Sequence, residues 1–147
     1  KLFPKNQKTL NMIILLKLEY VFFFLIGILA FVETGISWWW FAAMFFLPDL
    51  SMLGYLAGSK AGAFLYNLFH HFAVGILCFI VGKYLNNDDL TVAGIILFSH
   101  SAFDRILGYG LKYPNSFHNT HLGIIGHQQW FYVFKNYMFS EGLVPVA

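Results

Sequence analysis

Charged residues are scarce in this chain of 147 residues. Asp, Glu, Lys and Arg make up 11% of it, while 59% of the residues are hydrophobic and the mean hydropathy is +0.64. A soluble domain carries about a quarter charged residues and is about half apolar. The composition therefore excludes an ordinary soluble domain and predicts an integral membrane protein.

Cysteine and several common catalytic motifs are also lacking. Cys78 is the only cysteine, so a disulfide within the chain is excluded, and its apolar surroundings favour an inert thiol. The sequence has no glycine-rich phosphate loop, no CxxC pair, no c-type haem motif and no nucleophile elbow. The net charge of +2 is small and the lysines are scattered, which indicates no nucleic-acid partner.

Long apolar runs are what the chain does contain. Runs of about 20 residues suffice to cross the hydrocarbon core of a bilayer. We predict an all-α integral membrane four-helix bundle over residues 13–109, with spans at about 13–32, 37–56, 61–82 and 90–109. Pro48 predicts a kink in the second span, because proline lacks an N–H and clashes with the preceding turn.

The segments outside the bundle have separate expectations. Residues 1–12 form a polar N-terminal segment, and Met12 could be the natural start because the sequence begins with lysine. Residues 110–127 are predicted to be a cytoplasmic loop that contributes to a site. Residues 128–147 are predicted to be an interfacial or disordered tail, whose aromatic segment 129–139 would lie on the inner membrane surface.

The basic residues predict an orientation. With a cytoplasmic N-terminus, four spans place eight of the nine Lys and Arg residues on the inner side and leave only Lys83 outside. Cytoplasmic loops carry such an excess. We therefore predict that both termini are cytoplasmic, in a multi-pass protein of the cell inner (cytoplasmic) membrane whose surroundings are the lipid bilayer.

Polar residues inside the spans predict a site. At a rise of about 1.5 Å per residue, five of them reach one layer in the inner leaflet: Asp49, Asn67, His70, His100 and Asp104. The spacings of three and four residues within the third and fourth spans put each pair on one helical face. Ionisable groups inside a membrane are costly, so their default interpretation is a functional site.

Imidazole and carboxylate groups converging from several helices suit a divalent metal ion such as zinc, iron or manganese. The predicted metal ligands are Asp49, His70, His100 and Asp104. Asn67 is predicted to orient one of them. Such a site predicts metal-dependent hydrolysis of an ester or phosphoester in an amphiphilic, lipid-like substrate.

Two further residues are predicted to take part in catalysis. Arg105 would bind an anionic head group, a role that Lys112 could also fill. His121 would act as a general acid or base, or as a further metal ligand.

Other interpretations use the same residues. His100 and Asp104 could hydrogen-bond each other, and Arg105 could neutralise Asp104, as structural contacts between helices. The protein could instead be an accessory subunit of a larger membrane complex or a homo-oligomer. A small ion- or proton-coupled transporter is the remaining alternative, because Pro48 followed by Asp49 resembles a broken transporter helix.

Three segments carry a resemblance to a known family: PDLSMLGYLAG at 48–58, YNLFH at 66–70, and HSAFDRILGYGLKYP with THLG within 100–123. They resemble an uncharacterised family of small bacterial integral membrane proteins, domain of unknown function 4260. The likeness extends over about residues 17–126. Because the family has no established activity, the resemblance implies a fold of about four spans and no mechanism.

Overall fold

The computed structural model describes residues 7–125, with side chains from residue 11 onward. Within this range the chain forms five α-helices: α1 (Gln7–Val32), α2 (Trp38–Phe45), α3 (Ser59–Phe69), α4 (Phe72–Tyr84) and α5 (Asp88–Leu107). A 3-10 helix, Leu47–Ala57, joins α2 to α3, and two short antiparallel strands follow α5, β1 (Asn119–Thr120) and β2 (Gly123–Ile124). The all-α class is confirmed. The expectations for residues 1–6 and for the tail 128–147 lie outside the described residues.

Within residues 7–125, three helical stretches are long and apolar enough to cross a membrane: Asn11–Val32, Trp38–Ala57 and Asp88–Leu107. The pair α3 and α4 forms a fourth candidate span if it is counted as one, bent by 47° at its break. The fold is therefore all-helical with three to four candidate membrane spans.

Helix α5 lies at the centre of the bundle. Helices α1, α2 and α4 all pack against it, while the 3-10 helix packs mainly against α3. The side chain of Asn87 accepts a hydrogen bond from the N–H of Leu90 and begins α5, and Gly108 ends it in the left-handed region at φ 92°, as helix caps commonly do. The apolar core around α5 consists of Phe31, Phe41, Phe45, Val92, Ile95 and Ile96.

Helices α4 and α5 approach each other closely through glycines. A Cβ atom added to Gly94 would lie 2.4 Å from the backbone nitrogen of Phe79 and 2.7 Å from the carbonyl oxygen of Gly75. Small residues at helix interfaces in membranes allow such contact between backbones.

Replacing Gly94 with alanine should therefore destabilise the protein. Alanine is the better helix former by about 1 kcal/mol, but overpacking the interface should lower the free energy of unfolding by a net amount of about 1–3 kcal/mol. Unfolding in a detergent titration measures the difference. An unchanged or higher stability of Gly94→Ala would contradict the close approach.

Two backbone breaks set up the site. The chain changes from α-helix to 3-10 helix at the predicted kink, with Pro48 in the first turn of the 3-10 helix. Where the sequence predicts one span over 61–82, the structure has α3 and α4, separated at His70 and His71. The ring of His71 caps the start of α4 by accepting from the N–H of Ala73 at 3.2 Å, while His70 stands at the end of α3.

Candidate metal centre

Three polar side chains meet where these breaks face α5. Asp49 comes from the first turn of the 3-10 helix, His70 from the end of α3, and His100 from the middle of α5. One ligand atom from each lies within 4.8 Å of the other two. His70 and His100 are buried and Asp49 is half-buried. The structure thus brings together three of the five residues that helical depth places in one layer, and their group could hold a metal ion.

The separations of these atoms suit metal coordination. The two Nε2 atoms of His70 and His100 lie 3.1 Å apart. Oδ1 of Asp49 lies 3.5 Å from His70 Nε2 and 3.3 Å from His100 Nε2. In a tetrahedral site with metal–ligand bonds of about 2.0–2.1 Å, the ligand atoms are roughly 3.3 Å apart. The three donor atoms therefore match three corners of a tetrahedron around one ion.

The tautomer of His70 is fixed by the backbone. Its Nδ1 lies 2.8 Å from the carbonyl oxygen of Tyr66, and because a carbonyl can only accept, Nδ1 carries the proton. In a neutral ring Nε2 is then a lone pair that faces His100 and Asp49. A metal-binding histidine almost always donates its other N–H in this way.

Asp104 lies beside both imidazoles. Its Oδ2 is 3.6 Å from His70 Nε2, and its Oδ1 is 3.7 Å from His100 Nε2. The hydroxyl of Tyr66 donates a hydrogen bond of 2.5 Å to Oδ2, and the ring of Tyr66 stacks on His70 with a centroid distance of 3.7 Å. Tyr66 thus fixes the carboxylate with its hydroxyl and one imidazole with its ring and carbonyl.

Tyr66 was not among the site residues predicted from the sequence. The available signal was its position four residues before His70, which puts both on one face of α3. Nothing else in the sequence distinguishes Tyr66 from the other tyrosines of this aromatic-rich chain.

Arg105 is buried, with 3% of its surface exposed. Its Nη1 donates to the carbonyl oxygen of Tyr109 at 2.6 Å, and its Nη2 donates to that of His70 at 3.1 Å. These bonds satisfy carbonyl groups at the ends of α5 and α3. The guanidinium holds the backbone of His70 in place, and its catalytic role stays a prediction.

Asn67 contacts the loop after α5. Its side chain exchanges two hydrogen bonds with the backbone of Lys112: Oδ1 accepts from the Lys112 N–H at 2.6 Å, and Nδ2 donates to the Lys112 carbonyl at 2.9 Å. This pair resembles one rung of a β-ladder. The structure therefore uses Asn67 to fix Lys112, and the orientation of a metal ligand by Asn67 stays a prediction.

His121 also supports this loop. Its Nδ1 accepts from the N–H of Leu111 at 2.8 Å. Burial lowers the pKa of His121, and the positive charge of Arg105 lowers this pKa further. His121 does not line the cavity beside the metal centre. Its position therefore gives no direct support to the predicted role in catalysis.

A cavity of about 360 Å³ opens beside the metal centre, within the range of roughly 300–1,000 Å³ typical of ligand pockets. Its polar end contains Asp49, Tyr66, His100, Asp104 and Lys112. The apolar walls are Phe46, Met52, Phe103, Leu107, Tyr109, Phe117 and Ile125. The cavity thus combines a cluster of charged groups with an apolar lining.

Lys112 reaches this cavity from the loop and is 4% exposed. Its Nζ lies 3.8 Å from the ring centroid of Phe117 and 4.7 Å from that of Tyr66. Burial lowers the pKa of Lys112 to about 8, against the opposing effect of Asp104 and Asp49. The amine is therefore still mostly protonated at neutral pH.

A family model matches most of the part of the chain that forms these helices and the loop after α5. The family described as Domain of unknown function (DUF4260) matches residues 13–125, which include every helix from the first span through the loop after α5. The chain belongs to this uncharacterised family. No curated protein and no solved structure matches the chain.

Proposed function

We propose that this protein is a membrane-embedded, metal-dependent hydrolase that acts on an amphiphilic substrate. The observation that carries the proposal is the group formed by Asp49, His70 and His100, three donors at tetrahedral spacing from three separate backbone segments. Catalytic zinc sites typically have three protein ligands and keep one position for water. Two imidazoles with one carboxylate are such a set, and zinc, iron and manganese all accept it.

A divalent ion at this position would supply Lewis acidity: it makes water a nucleophile at neutral pH and polarises a carbonyl or phosphoryl oxygen. Asp104 is placed to act on that water. Its carboxylate lies beside both imidazoles and is held by Tyr66. We propose that Asp104 takes the proton from the attacking water rather than serving as a fourth ligand.

The reaction then balances as an ordinary hydrolysis. The water oxygen bonds to the carbonyl carbon or the phosphorus, and the bond from that atom to the leaving alcohol oxygen breaks. Asp104 passes the proton to the leaving oxygen, which departs as the alcohol. The apolar wall formed by Phe46, Phe103 and Leu107 would hold the hydrocarbon part of the substrate, since apolar walls with a few convergent polar groups are typical of ligand sites.

The position of the site in the membrane is part of the proposal. The Nζ of Lys17 on α1 donates to the carbonyl oxygen of Ile106 on α5 at 2.6 Å. Lys17, Arg105 and Lys112 are therefore near one end of the bundle, whereas Asp88 and Asp89 begin α5 at the other end. With the positive residues facing the cytoplasm, the site lies in the inner leaflet of the cytoplasmic membrane, both termini are cytoplasmic, and an amphiphile enters from the bilayer.

Metal analysis tests the proposal. Protein purified in detergent without chelator is expected to contain about one divalent ion per chain and to hydrolyse p-nitrophenyl decanoate or decyl p-nitrophenyl phosphate. His100→Ala should lose both the ion and the turnover, because it removes one of three ligands. His118→Ala is the matched control, since His118 is exposed and lies outside the cavity lining. Wild-type protein without stoichiometric metal would overturn the hydrolase proposal.

An ion- or proton-coupled transporter is the second candidate, favoured by the break between α3 and α4 at His70. Transporter sites are often built where a spanning helix is interrupted. The same purified protein in liposomes separates the two functions. Ion-dependent flux that Asp49→Asn abolishes, without turnover of either ester, would replace the hydrolase by the transporter. Co-purification with a fixed partner would instead favour the accessory-subunit interpretation.

A further inference from the structure

The amine of Lys112 is an unpaired buried cation. Among residues 11–125, no carboxylate forms an ion pair with it and no hydrogen-bond acceptor is recorded for it, and its two close neighbours are the ring faces of Phe117 and Tyr66. Arg105 is also buried, but its guanidinium donates to two carbonyl oxygens. Of these two cations, Lys112 is the one that lines the cavity, where its amine faces the space that a ligand would occupy.

An unpaired ammonium at 4% exposure needs a compensating partner. Burying a charge is unfavourable unless it is paired and hydrogen-bonded. Aromatic faces recover part of the lost solvation, yet they accept no conventional hydrogen bond from the three N–H groups of the amine. The end of the Lys112 side chain that faces the cavity is therefore suited to binding an anion.

The backbone of Lys112 is fixed before any ligand arrives. Asn67 holds both its N–H and its carbonyl at 2.6 and 2.9 Å, and Lys112 also pairs with Thr120 in a β-bridge. A charge held in this way loses little conformational entropy on binding. The loop after α5 thus presents one positioned cation to the cavity.

The neighbouring carboxylates decide where an anion can bind. Asp49 and Asp104 line the same cavity and would repel a second negative charge unless a metal ion offsets them. An anionic group would then lie between that ion and Lys112. This step rests on the proposed function, because it needs the ion held by Asp49, His70 and His100.

We infer that the substrate is an anionic amphiphile, and that Lys112 selects it by binding the phosphate or carboxylate of its head group while the apolar wall takes the chain. Lys112 is in this role a specificity-determining residue. An uncharged head group would leave its amine without a partner.

Equilibrium binding to the full chain in phosphatidylcholine nanodiscs tests the inference, with empty nanodiscs subtracted. The probes are decyl phosphate, decanol and inorganic phosphate. Wild-type protein is expected to bind decyl phosphate at least about 10-fold more tightly than either other probe. Lys112→Met should weaken decyl phosphate binding by roughly 10- to 100-fold, the range for a lost hydrogen bond to a charged group, and leave decanol binding within about twofold.

Matched variants separate this role from a structural one. Lys112→Arg should restore at least part of the preference for decyl phosphate, and Lys60→Met, at an exposed lysine of α3, should change nothing. Metal content is measured on every sample. Equal binding of decyl phosphate and decanol by the wild-type protein, or parallel loss of both in Lys112→Met, would overturn the inference. Binding of inorganic phosphate as tightly as decyl phosphate would contradict the inference that the ligand is an amphiphile.

The two proposals fail differently in this experiment. Wild-type protein that lacks a metal ion but retains a Lys112-dependent preference for decyl phosphate would refute the metal-dependent hydrolase and the part of the ion in binding the anion, and would keep Lys112 as the residue that selects the anion. Protein that carries its metal ion but shows no head-group preference would refute the anion site and keep the metal centre.

Discussion

Removing the divalent ion with a chelator is expected to lower the melting temperature by on the order of 10 °C, and His70→Ala should reduce this difference to about a third or less. An ion present at about 1,000 times its dissociation constant stabilises the folded state by about 4 kcal/mol, and 1 kcal/mol corresponds to about 2–4 °C for a chain of this size. The ion joins three segments that separate on unfolding, since its ligands lie at positions 49, 70 and 100. Thermal melting with and without added Zn²⁺ measures the effect.

The affinity of the protein for the divalent ion should fall at least about 100-fold in His70→Ala. Loss of a residue that only hydrogen-bonds to a metal ligand already weakens metal binding about 10–100-fold. His118→Ala, at an exposed histidine, should keep the full zinc-dependent shift. Comparing the metal-free forms of the wild-type protein and of His70→Ala shows how much stability the ring of His70 contributes without an ion, through its contacts with Tyr66 and His100. A zinc-dependent shift of the same size in His70→Ala would contradict the metal centre.

Asp104→Asn is expected to lower kcat by roughly 10²–10⁴-fold, the usual contribution of a general base, while the metal content stays at the wild-type level. Asparagine keeps the shape of the side chain, and its Oδ1 can still accept the hydrogen bond from the hydroxyl of Tyr66. It cannot take a proton from water. Steady-state turnover of the p-nitrophenyl substrates, with metal analysis of the same sample, measures both quantities.

The outcome also decides between the two roles of Asp104. Loss of the metal ion from Asp104→Asn would make Asp104 a fourth ligand, as the sequence analysis predicts, and would contradict its role as the base. Asp89→Asn, at an exposed carboxylate in the first turn of the same helix, is the control and should retain both metal and turnover. Full activity of Asp104→Asn would exclude either role.

Local patterns in the sequence were sufficient for the all-helical class. Apolar runs of spanning length and Pro48 predict where helices form and bend, because a helix depends on contacts within four residues. The break at His70 was not predicted. The guanidinium of Arg105 donates to the His70 carbonyl at this break from 35 residues away, and no pattern near residue 70 records that contact.

Counting residues along the predicted spans placed Asp49, His70 and His100 in one layer of the membrane, because the rise per residue of a helix converts residue number into distance. This depth does not predict which way a side chain faces around the helix axis, nor where the loop after α5 lies. Asn67 lies on the same helix as His70, yet its amide bonds the backbone of Lys112. The sequence offered Arg105 and Lys112 as equal candidates for binding an anion, and only their partners in the structure distinguish them.

The sequence by itself determined an apolar helical protein with carboxylates and imidazoles buried at one level, because composition, span length and helical rise are local properties. Only the tertiary structure decided which of these groups face each other and what holds them. Tyr66 joins Asp104 across 38 residues, and Asn67 joins Lys112 across 45. Such contacts depend on how helices turn and pack against α5, which is a property of all the side chains together.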